Sequence, residues 1–497
     1  MEAGYDFRSL SHDHFDEGPV PMHRFGRLLL AISTLNAIFL TEASAESKPP
    51  NILLIMCDDL GWGDVGFNGN RQIKTPHLDR WAQQGVVLER FYAASPVCSP
   101  TRGSCLTGRH PHRYGIFHAN RGHLPDAEVT LAEALRQRGY ATGHFGKWHL
   151  GTLTTQIKES NRGGPQNAKH FAPPWQHGFD ICFSTEAKVP TWDPMKKPPN
   201  ASRLWWDPIA DEDAVEYGTY YWSGPETRVR HNLAGDDSRV IVDRAIPFIE
   251  ENTLKEHPFL AVVWLHAPHL PVVAGPEYTQ LYKGHTKYEQ HYFGCISALD
   301  NQIGRLLDKL TELNIVDNTF VLFCSDNGPE GKAGNAPGTA ASFRGRKRDL
   351  FEGGIRVPAF ASWPNRIPKN RRIAVPMVTS DLFPTLCAEA SRSKEDINSI
   401  GPQPLDGIKL MPILVGEINK RNRGIGFQFT NQTAWIEDRY KLIHRGDRKY
   451  LFDLLEDPGE TNNLADQIPA ILARLDHDLQ RWIRSCQQSQ EGADYKP

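Results

Sequence analysis

Four strand-like segments that each end on polar residues constrain the fold of this chain more than any other feature. Segments 51–56, 259–265 and 319–324 are almost continuously apolar, and a fourth runs from Tyr140 towards Lys147. Helical patterns separate them, as expected for strands buried on both faces of a sheet. The alternation predicts an α/β fold with a large, mostly parallel sheet flanked by helices on both faces.

Carboxylate and amide side chains follow two of these segments directly. Asp58 and Asp59 come after the first segment, and Asp326 and Asn327 come after the last. Taken singly, each aspartate is an ordinary turn or helix-cap residue. Because ligand sites of open α/β sheets lie at the carboxyl ends of the strands, the matched positions predict an all-oxygen site for a hard divalent cation. An irregular set of this kind favours Ca²⁺ over Mg²⁺.

A thiol stands where a turn leads into a predicted helix. Pro100 suits the first helical turn, so Cys98 lies beside the free amide donors and the positive end of the helix dipole. Anions such as sulfate and phosphate bind at such positions. Arg102, one turn further on, lies on the same face as Cys98 and can hold an oxyanion.

Basic side chains near the other strand ends complete a set that suits a polyanionic substrate. They are Arg102, Lys147, His149, His269 and Lys347. His149 can position or deprotonate a nucleophile, whereas His269 or Lys347 can bind ester oxygens and assist the leaving group. For His266 two roles stay open: contact with the substrate, or support of the residues that make that contact.

These motifs together resemble the formylglycine-dependent sulfatases of the alkaline-phosphatase superfamily. The resemblance spans residues 51 to about 466, with Thr101 in place of the commoner serine. Its segments are Cys-Ser-Pro-Thr-Arg at 98–102, Leu-Thr-Gly-Arg at 106–109, Gly-Lys-Trp-His-Leu-Gly at 146–151, Asp-Asn-Gly at 326–328, Arg-Gly-Arg-Lys at 344–347 and Glu-Gly-Gly-Ile-Arg-Val-Pro at 352–358. The resemblance implies an alkaline-phosphatase-like fold and hydrolysis of sulfate esters.

The resemblance also implies a modified nucleophile and a metal. A maturation enzyme would oxidise Cys98 to formylglycine (3-oxoalanine), whose hydrate attacks sulfur and later expels sulfate. His149 would assist the attack, and the alcohol would leave with a proton from His269 or Lys347. One Ca²⁺ would be bound by the modified residue and by Asp58, Asp59, Asp326 and Asn327. Arg102, Lys147 and Lys347 would hold the sulfate oxygens, with Lys147, His266, His269 and Lys347 as the substrate-binding set.

The N-terminal region has the pattern of a secretory signal. Basic residues after Met22 precede an apolar run at 28–40 and Ala-Ser-Ala at 43–45. We therefore expect residues 1–45 to be an extension and signal peptide, with Met22 as the true start and export to the periplasm, the medium or a lysosome-like compartment. The alternative is a short anchor or a structured helix, although a run of thirteen residues is too short to span a bilayer.

Three further segments follow from changes in composition. Residues 46–405 are predicted to form the catalytic domain, with an insertion at 152–235 that shapes a pocket rim. Residues 406–497 are predicted to form a small antiparallel sheet with a terminal helix. The insertion contains tryptophans that either stack against sugar rings or belong to its core: Trp175, Trp192, Trp205, Trp206 and Trp222.

Composition and motifs limit the remaining function classes. A net charge of -3 without charged runs argues against a nucleic-acid partner, and the eight cysteines form no Cys-x-x-Cys pair for zinc. The expected partner is a sulfated small molecule or glycan, and we favour a carbohydrate. A phosphonate or phosphate ester hydrolase of the same superfamily is the nearest alternative, and an inactive carbohydrate-binding relative is a second.

Overall fold

The computed structural model describes residues 48–159, 162–391 and 400–495. The predicted extension and signal peptide at 1–45 lie outside these residues. Within the described ranges, no helix has both the length and the apolar character needed to cross a membrane.

The elements confirm an α/β chain that ends in a β-rich segment. The strands are Asn51–Cys57 (β1), Val86–Leu88 (β2), Phe91–Tyr92 (β3), Ala141–Lys147 (β4), Ile181–Thr185 (β5), Lys196–Lys197 (β6), Val215–Glu216 (β7), Phe259–Trp264 (β8), Thr319–Ser325 (β9), Phe360–Ser362 (β10), Arg371–Ile373 (β11), Met377–Val378 (β12), Ile425–Phe429 (β13), Gln432–Glu437 (β14), Tyr440–Arg445 (β15) and Arg448–Asp453 (β16). The helices are Pro76–Gln83 (α1), Cys98–Thr107 (α2), Leu131–Arg136 (α3), Asp237–Leu254 (α4), Pro276–Thr279 (α5), Lys287–Glu312 (α6), Glu352–Ile355 (α7), Leu382–Ala390 (α8), Met411–Val415 (α9) and Pro469–Gln490 (α10).

The main sheet has eight strands in the order β11-β2-β10-β9-β1-β8-β4-β5. Only β10 runs antiparallel to its neighbours, which confirms a mostly parallel sheet. Alternate residues of β1 point into two separate cores: Leu54 packs with residues of α3 and α8, and Leu53 packs with residues of α4 and α6. The central strand is therefore buried on both faces, which explains its continuous apolar sequence.

The predicted insertion at 152–235 contributes to the sheet as well as to loops. Its strand β5 pairs in parallel with β4 and forms one edge of the sheet. Trp222 is only 1 % exposed and belongs to the core, and Trp206 is also buried. Trp175 and Trp205 pack against the two cores. Stacking against sugar rings is therefore the wrong interpretation for Trp222. Trp175, Trp205 and Trp206 contribute to packing.

The C-terminal segment forms a four-stranded antiparallel sheet, β13-β14-β15-β16, as predicted. One face of this sheet packs towards α7 and the chain before α2, while the other packs against α10. The alternating run at 435–443 is the hairpin of β14 and β15, because Asp438 turns the chain with φ 53°. Aspartate tolerates this left-handed conformation better than most residues.

A buried ion pair joins the C-terminal sheet to the main sheet's loops. Lys441 of β15 is fully buried, and its Nζ lies 2.8 Å from a carboxylate oxygen of Glu352 and 2.9 Å from one of Glu460. Glu460 also accepts a hydrogen bond from the backbone N–H of Glu352 at 2.6 Å. Removing the lysine would leave two carboxylates buried without their shared cation.

We expect Lys441→Met to lower the free energy of unfolding by about 3–5 kcal/mol, because a buried ion pair that loses one partner leaves an uncompensated charge. Lys449→Met on β16 is the matched control: its side chain is 46 % exposed and pairs with Asp476. Loss of such an exposed pair should cost about 0–1 kcal/mol. Urea unfolding of both variants measures the difference, and equal losses would contradict the structural role of Lys441.

Candidate active site

The carboxyl ends of β1 and β9 bring the predicted oxygen ligands together. Cys57 and Ser325 are aligned in the parallel register of the two strands, so the following residues share one edge of the sheet. The backbone N–H of Asp59 donates to Oδ1 of Asp326 at 3.1 Å. Carboxylate oxygens of Asp58, Asp59 and Asp326 lie within 4.8 Å of one another, and all three residues are buried.

Unpaired oxygens at this edge fit a hard cation. Oδ1 of Asp58 and Oδ1 of Asn327 are buried and accept no hydrogen bond from the described residues. The Asn327 amide nitrogen donates to Oδ1 of Asp59 at 2.7 Å, which fixes the orientation of the amide. Buried acceptors without donors cost free energy, so a divalent cation is the natural partner of these oxygens.

Three cations balance the three carboxylates. Arg102 donates to Asp326 at 2.7 and 3.1 Å. Lys147 Nζ lies 2.5 Å from Asp58, and Lys347 Nζ lies 2.7 Å from Asp59. A bound divalent ion would leave the site with excess positive charge, which suits an anionic ester.

The pKa values of the carboxylates follow from this arrangement. Burial opposes ionisation of Asp58, but the positive charges of Lys147, Arg102 and Lys347 outweigh it and hold the pKa of Asp58 well below its usual value. Burial and the charge of Asp58 raise the pKa of Asp326. Nearby carboxylates therefore titrate apart, as expected for like charges that share a buried site.

Cys98 is the first residue of α2 and is buried. Its sulfur, a carboxylate oxygen of Asp58 and a ring nitrogen of His269 lie within 4.8 Å of one another. The Thr101 hydroxyl donates to the carbonyl of Ser95 at 2.9 Å and accepts from its N–H at 3.2 Å, so threonine braces the turn through the hydroxyl that it shares with the commoner serine. Burial raises the pKa of the Cys98 thiol although Lys147 and Lys347 oppose the shift, so the sulfur is a neutral thiol.

Each of the two histidines predicted to act on the substrate is held by a hydrogen bond from one ring nitrogen to another residue. His149 has φ 60°, and its Nε2 is hydrogen-bonded to the side chain of Asn120, while its buried Nδ1 has no partner in the described ranges. His269 Nδ1 donates to the Leu270 carbonyl at 2.7 Å, and its Nε2 lies 3.6 Å from Asp59. Burial lowers the pKa of His269 to about 3, so its ring is neutral.

His266 has both ring nitrogens engaged by the protein. Nδ1 lies 2.8 Å from Asp237, and Nε2 lies 2.8 Å from the Thr185 hydroxyl. Its side chain is fully buried. Of the two roles that the sequence leaves open, this geometry favours support of the neighbouring strand ends over contact with the substrate.

Two residues near the site have no counterpart in the sequence analysis. Lys188 follows β5 and is partly buried, and its pKa is lowered by burial and by the charges of Lys147 and Lys347. Asn120, which holds His149, lies in an irregular loop. Lys188 could have been found only by recognising β5, and no sequence signal distinguishes Asn120.

Comparisons with known proteins agree with the motifs. A family model described as Sulfatase matches residues 50–390. An N-acetylgalactosamine-6-sulfatase of Canis lupus familiaris is 33 % identical over 80 % of this chain and 71 % of its own length, and a steryl-sulfatase of Mus musculus is 32 % identical over 81 % and 72 %. A crystal structure of Ps i-CgsB with k-i-k-neocarrahexaose superposes with a TM-score of 0.72 at 25 % identity, covering 90 % of this chain and 97 % of that one.

The carboxylate cluster predicts stabilisation by Ca²⁺. At a concentration about 100 times its Kd, one ion bound only to the folded chain adds about 2.7 kcal/mol to the free energy of unfolding. We expect this gain after EDTA treatment and Ca²⁺ addition, and we expect Asp59→Asn to reduce it, because one charged ligand is lost. Thermal unfolding with and without Ca²⁺ measures the gain.

Asp308→Asn is the matched control for that experiment. Asp308 is 43 % exposed and pairs with Arg80 at the surface, so the Ca²⁺ response of this variant should equal that of the parent protein. An undiminished response in Asp59→Asn would show that Ca²⁺ binds elsewhere.

Proposed function

Because the chain belongs to the sulfatase family and is a sulfuric ester hydrolase, we propose that it cleaves a sulfated carbohydrate with formylglycine made from Cys98 and one Ca²⁺. The observation that carries the proposal is the position of Cys98. It begins α2 within reach of the carboxylate cluster and of Lys147 and Lys347. A nucleophile, a metal site and anion-binding cations therefore meet at one end of the sheet.

The state of the Cys98 sulfur supports its role as a precursor. A buried neutral thiol is a weak nucleophile, and attack by sulfur on the ester would leave a stable adduct. Formylglycine supplies a hydrated aldehyde, in which one hydroxyl attacks and the second allows sulfate to be expelled. The backbone at Cys98 need not move for this role, because formylglycine differs from cysteine only in the atom bonded to Cβ, which is oxygen instead of sulfur.

The metal would be held by Asp58, Asp59, Asp326 and Asn327, and the residue at 98 would be its neighbour. When bound, Ca²⁺ would supply positive charge next to the nucleophile. The two unpaired oxygens, Oδ1 of Asp58 and Oδ1 of Asn327, support this assignment.

The remaining side chains divide into positioning and proton-transfer groups. The Arg102 guanidinium donates its hydrogen bonds to Asp326 and to the Lys147 carbonyl, so Arg102 fixes the positions of these two residues. Lys147 and Lys347 hold the sulfate oxygens. The unpaired Nδ1 of His149 accepts the proton of the attacking hydroxyl.

Hydrogen bonding separates the two candidates for the leaving-group proton. The N–H of His269 is engaged by the Leu270 carbonyl, so its Nε2 faces the site as an acceptor. The Lys347 ammonium has three N–H groups, and it contacts Asp59 at 2.7 Å and Glu330 at 3.4 Å, which leaves one N–H for the substrate. Lys347 is therefore the proton donor that this geometry favours, with His269 binding the substrate.

The nature of the substrate is proposed from the relatives. The matched proteins include an N-acetylgalactosamine-6-sulfatase and a steryl-sulfatase, so family membership alone leaves the alcohol open. We favour a sulfated sugar, since N-acetylgalactosamine-6-sulfatases of five mammals match this chain and the superposed Ps i-CgsB structure holds a neocarrahexaose. The predicted signal peptide and maturation enzyme complete the proposal: an exported protein with a catalytic domain at 46–405 and a subdomain at 406–497.

Replacement of Cys98 tests the nucleophile. We expect Cys98→Ala to lower aryl sulfate turnover by roughly 10⁴-fold or more, because the attacking group is lost. Cys105→Ala is the matched control, because Cys105 lies in the same helix and is also buried, but belongs to the core cluster. Its turnover should remain within a few-fold of the parent value.

Mass spectrometry of the active parent protein completes this test. The peptide that contains residue 98 should carry an aldehyde in place of the thiol. An unmodified thiol in fully active protein would refute the formylglycine mechanism.

A substrate panel separates the proposal from its alternatives. We expect N-acetylgalactosamine 6-sulfate and an aryl sulfate to be hydrolysed with higher kcat/KM than an aryl phosphate or phosphonate. Preference for the phosphorus esters would support the nearest alternative. Binding of the sulfated sugar without turnover by the formylglycine-containing protein would support a binding-only relative.

A further inference from the structure

The segment from Thr185 to Thr191 lies along the loop that carries His269 and is tied to that loop at both ends. The hydroxyl of Thr185 lies 2.8 Å from Nε2 of His266. The hydroxyl of Thr191 donates to the Val273 carbonyl at 2.7 Å and accepts from the Val273 N–H at 2.8 Å. The two anchors lie on either side of His269 in the chain, so the segment holds a fixed position beside it.

Lys188 occupies the middle of this segment. In the parallel register of β4 and β5, Thr185 is aligned with Lys147, so the segment continues from the edge of the sheet that holds the carboxylate cluster. The neighbours Ala187 and Val189 are 1 % and 0 % exposed, whereas Lys188 is only partly buried. The fold therefore fixes the backbone at Lys188 and leaves its side chain accessible to a ligand.

The ammonium of Lys188 lacks an acceptor among the described residues, although it is partly removed from water. Glu186, the nearest carboxylate along the chain, pairs instead with Arg162 at 2.9 Å. By contrast, Lys147 and Lys347 each pair with an aspartate, at 2.5 and 2.7 Å. Because an unpaired ammonium in such a position costs free energy, an acceptor supplied by a ligand would be bound favourably there.

The charges that act on Lys188 belong to the candidate active site. Burial and the ammonium groups of Lys147 and Lys347 lower its pKa, whereas the aspartates that pair with these two lysines oppose the shift. Both lysines also act on the Cys98 thiol, but Lys188 is not among the charged groups with the largest effect on it. Lys188 therefore lies next to the two lysines and farther out from Cys98, on the side where the alcohol part of a sulfate ester would extend.

The charges around the site leave room for a second anion. Five cations and four carboxylates lie there: Arg102, Lys147, Lys188, Lys347 and Arg348 against Asp58, Asp59, Asp326 and Glu330. The Ca²⁺ of the proposed function would add two more positive charges. A sulfate monoester carries a single negative charge, so it neutralises only part of this excess.

We propose that Lys188 is a specificity-determining residue that binds a second anionic group, carried by the sulfated sugar or by the next sugar of the substrate. The inference rests on the proposed function and narrows its substrate class to saccharides with at least two negative charges. A uronate carboxylate and a further sulfate both offer oxygen acceptors to an ammonium. A neutral hydroxyl would leave the repulsion among the three lysines uncompensated.

Substrates that differ in one anionic group test this role. N-Acetylgalactosamine 6-sulfate and an aryl sulfate carry one negative charge each. N-Acetylgalactosamine 4,6-disulfate adds a second sulfate, and a disaccharide of N-acetylgalactosamine 6-sulfate linked to glucuronate adds a carboxylate. We expect the parent enzyme to hydrolyse at least one of the doubly charged sugars with a kcat/KM roughly tenfold above that of the monosulfate. The preferred sugar identifies which anion Lys188 binds.

Lys188→Met should remove this preference. We expect kcat/KM for the preferred doubly charged sugar to fall roughly tenfold to hundredfold, mainly through a higher KM, because a charge-assisted hydrogen bond is lost. The loss for the two singly charged substrates should stay within about threefold. Lys188→Arg retains a cation and should keep part of the preference.

Lys369→Met is the matched control. Lys369 is exposed and precedes β11, which forms the opposite edge of the main sheet from β5. Its removal should leave kcat/KM for all four substrates within about twofold of the parent value, because an isolated surface charge contributes little. Thermal unfolding of Lys188→Met should begin no earlier than that of the parent protein, since no contact with the described residues is lost.

An equal loss of kcat/KM for singly and doubly charged substrates in Lys188→Met would overturn the inference, as would an unchanged preference in this variant or the absence of any preference in the parent enzyme. Failure of the parent enzyme to hydrolyse any sulfate ester would instead contradict the proposed function. The two failures are distinguishable, because the first compares substrates of an active enzyme and the second is a lack of activity.

Discussion

Three carboxylates buried at the ends of β1 and β9 are the constraint on which the rest of the structure depends. A single ionised carboxylate removed from water costs several kcal/mol, and three within 4.8 Å repel one another. Parallel pairing of the two strands makes this proximity unavoidable, since Cys57 and Ser325 are aligned. The surrounding structure must therefore deliver positive charge to this one edge of the sheet.

That charge comes from three separate parts of the chain, each fixed by its own local structure. Arg102 projects from the first turns of α2, and Lys147 ends β4. Lys347 lies in the loop before α7, which the buried Lys441 ties to the C-terminal sheet through Glu352. The C-terminal subdomain therefore supports the site at a distance, because it restrains the chain that follows Lys347, one of the three cations that balance the carboxylates.

The sequence predicted those parts of the fold in which burial and chemistry leave a periodic signal. β1 and β9 are continuous apolar runs with polar ends. The sequence therefore indicated both that the ends of these strands meet and which acidic residues lie there. β5 was missed because five residues inside a loop-rich segment carry little pattern, and Lys188 was missed with it. The partner of His149 depends on loop tertiary structure, which no local pattern encodes.

Hydrogen-bond saturation distinguishes the groups that support the site from those that face a ligand. Every guanidinium nitrogen of Arg102 donates to a protein oxygen, and both nitrogens of His266 have protein partners. Oδ1 of Asp58, Oδ1 of Asn327 and Nδ1 of His149 are buried and lack such partners within the described residues. Since an unpaired buried polar atom costs free energy, a ligand that pairs with it stabilises the folded protein. These atoms therefore mark the space in which we propose that metal and substrate meet the residue at position 98.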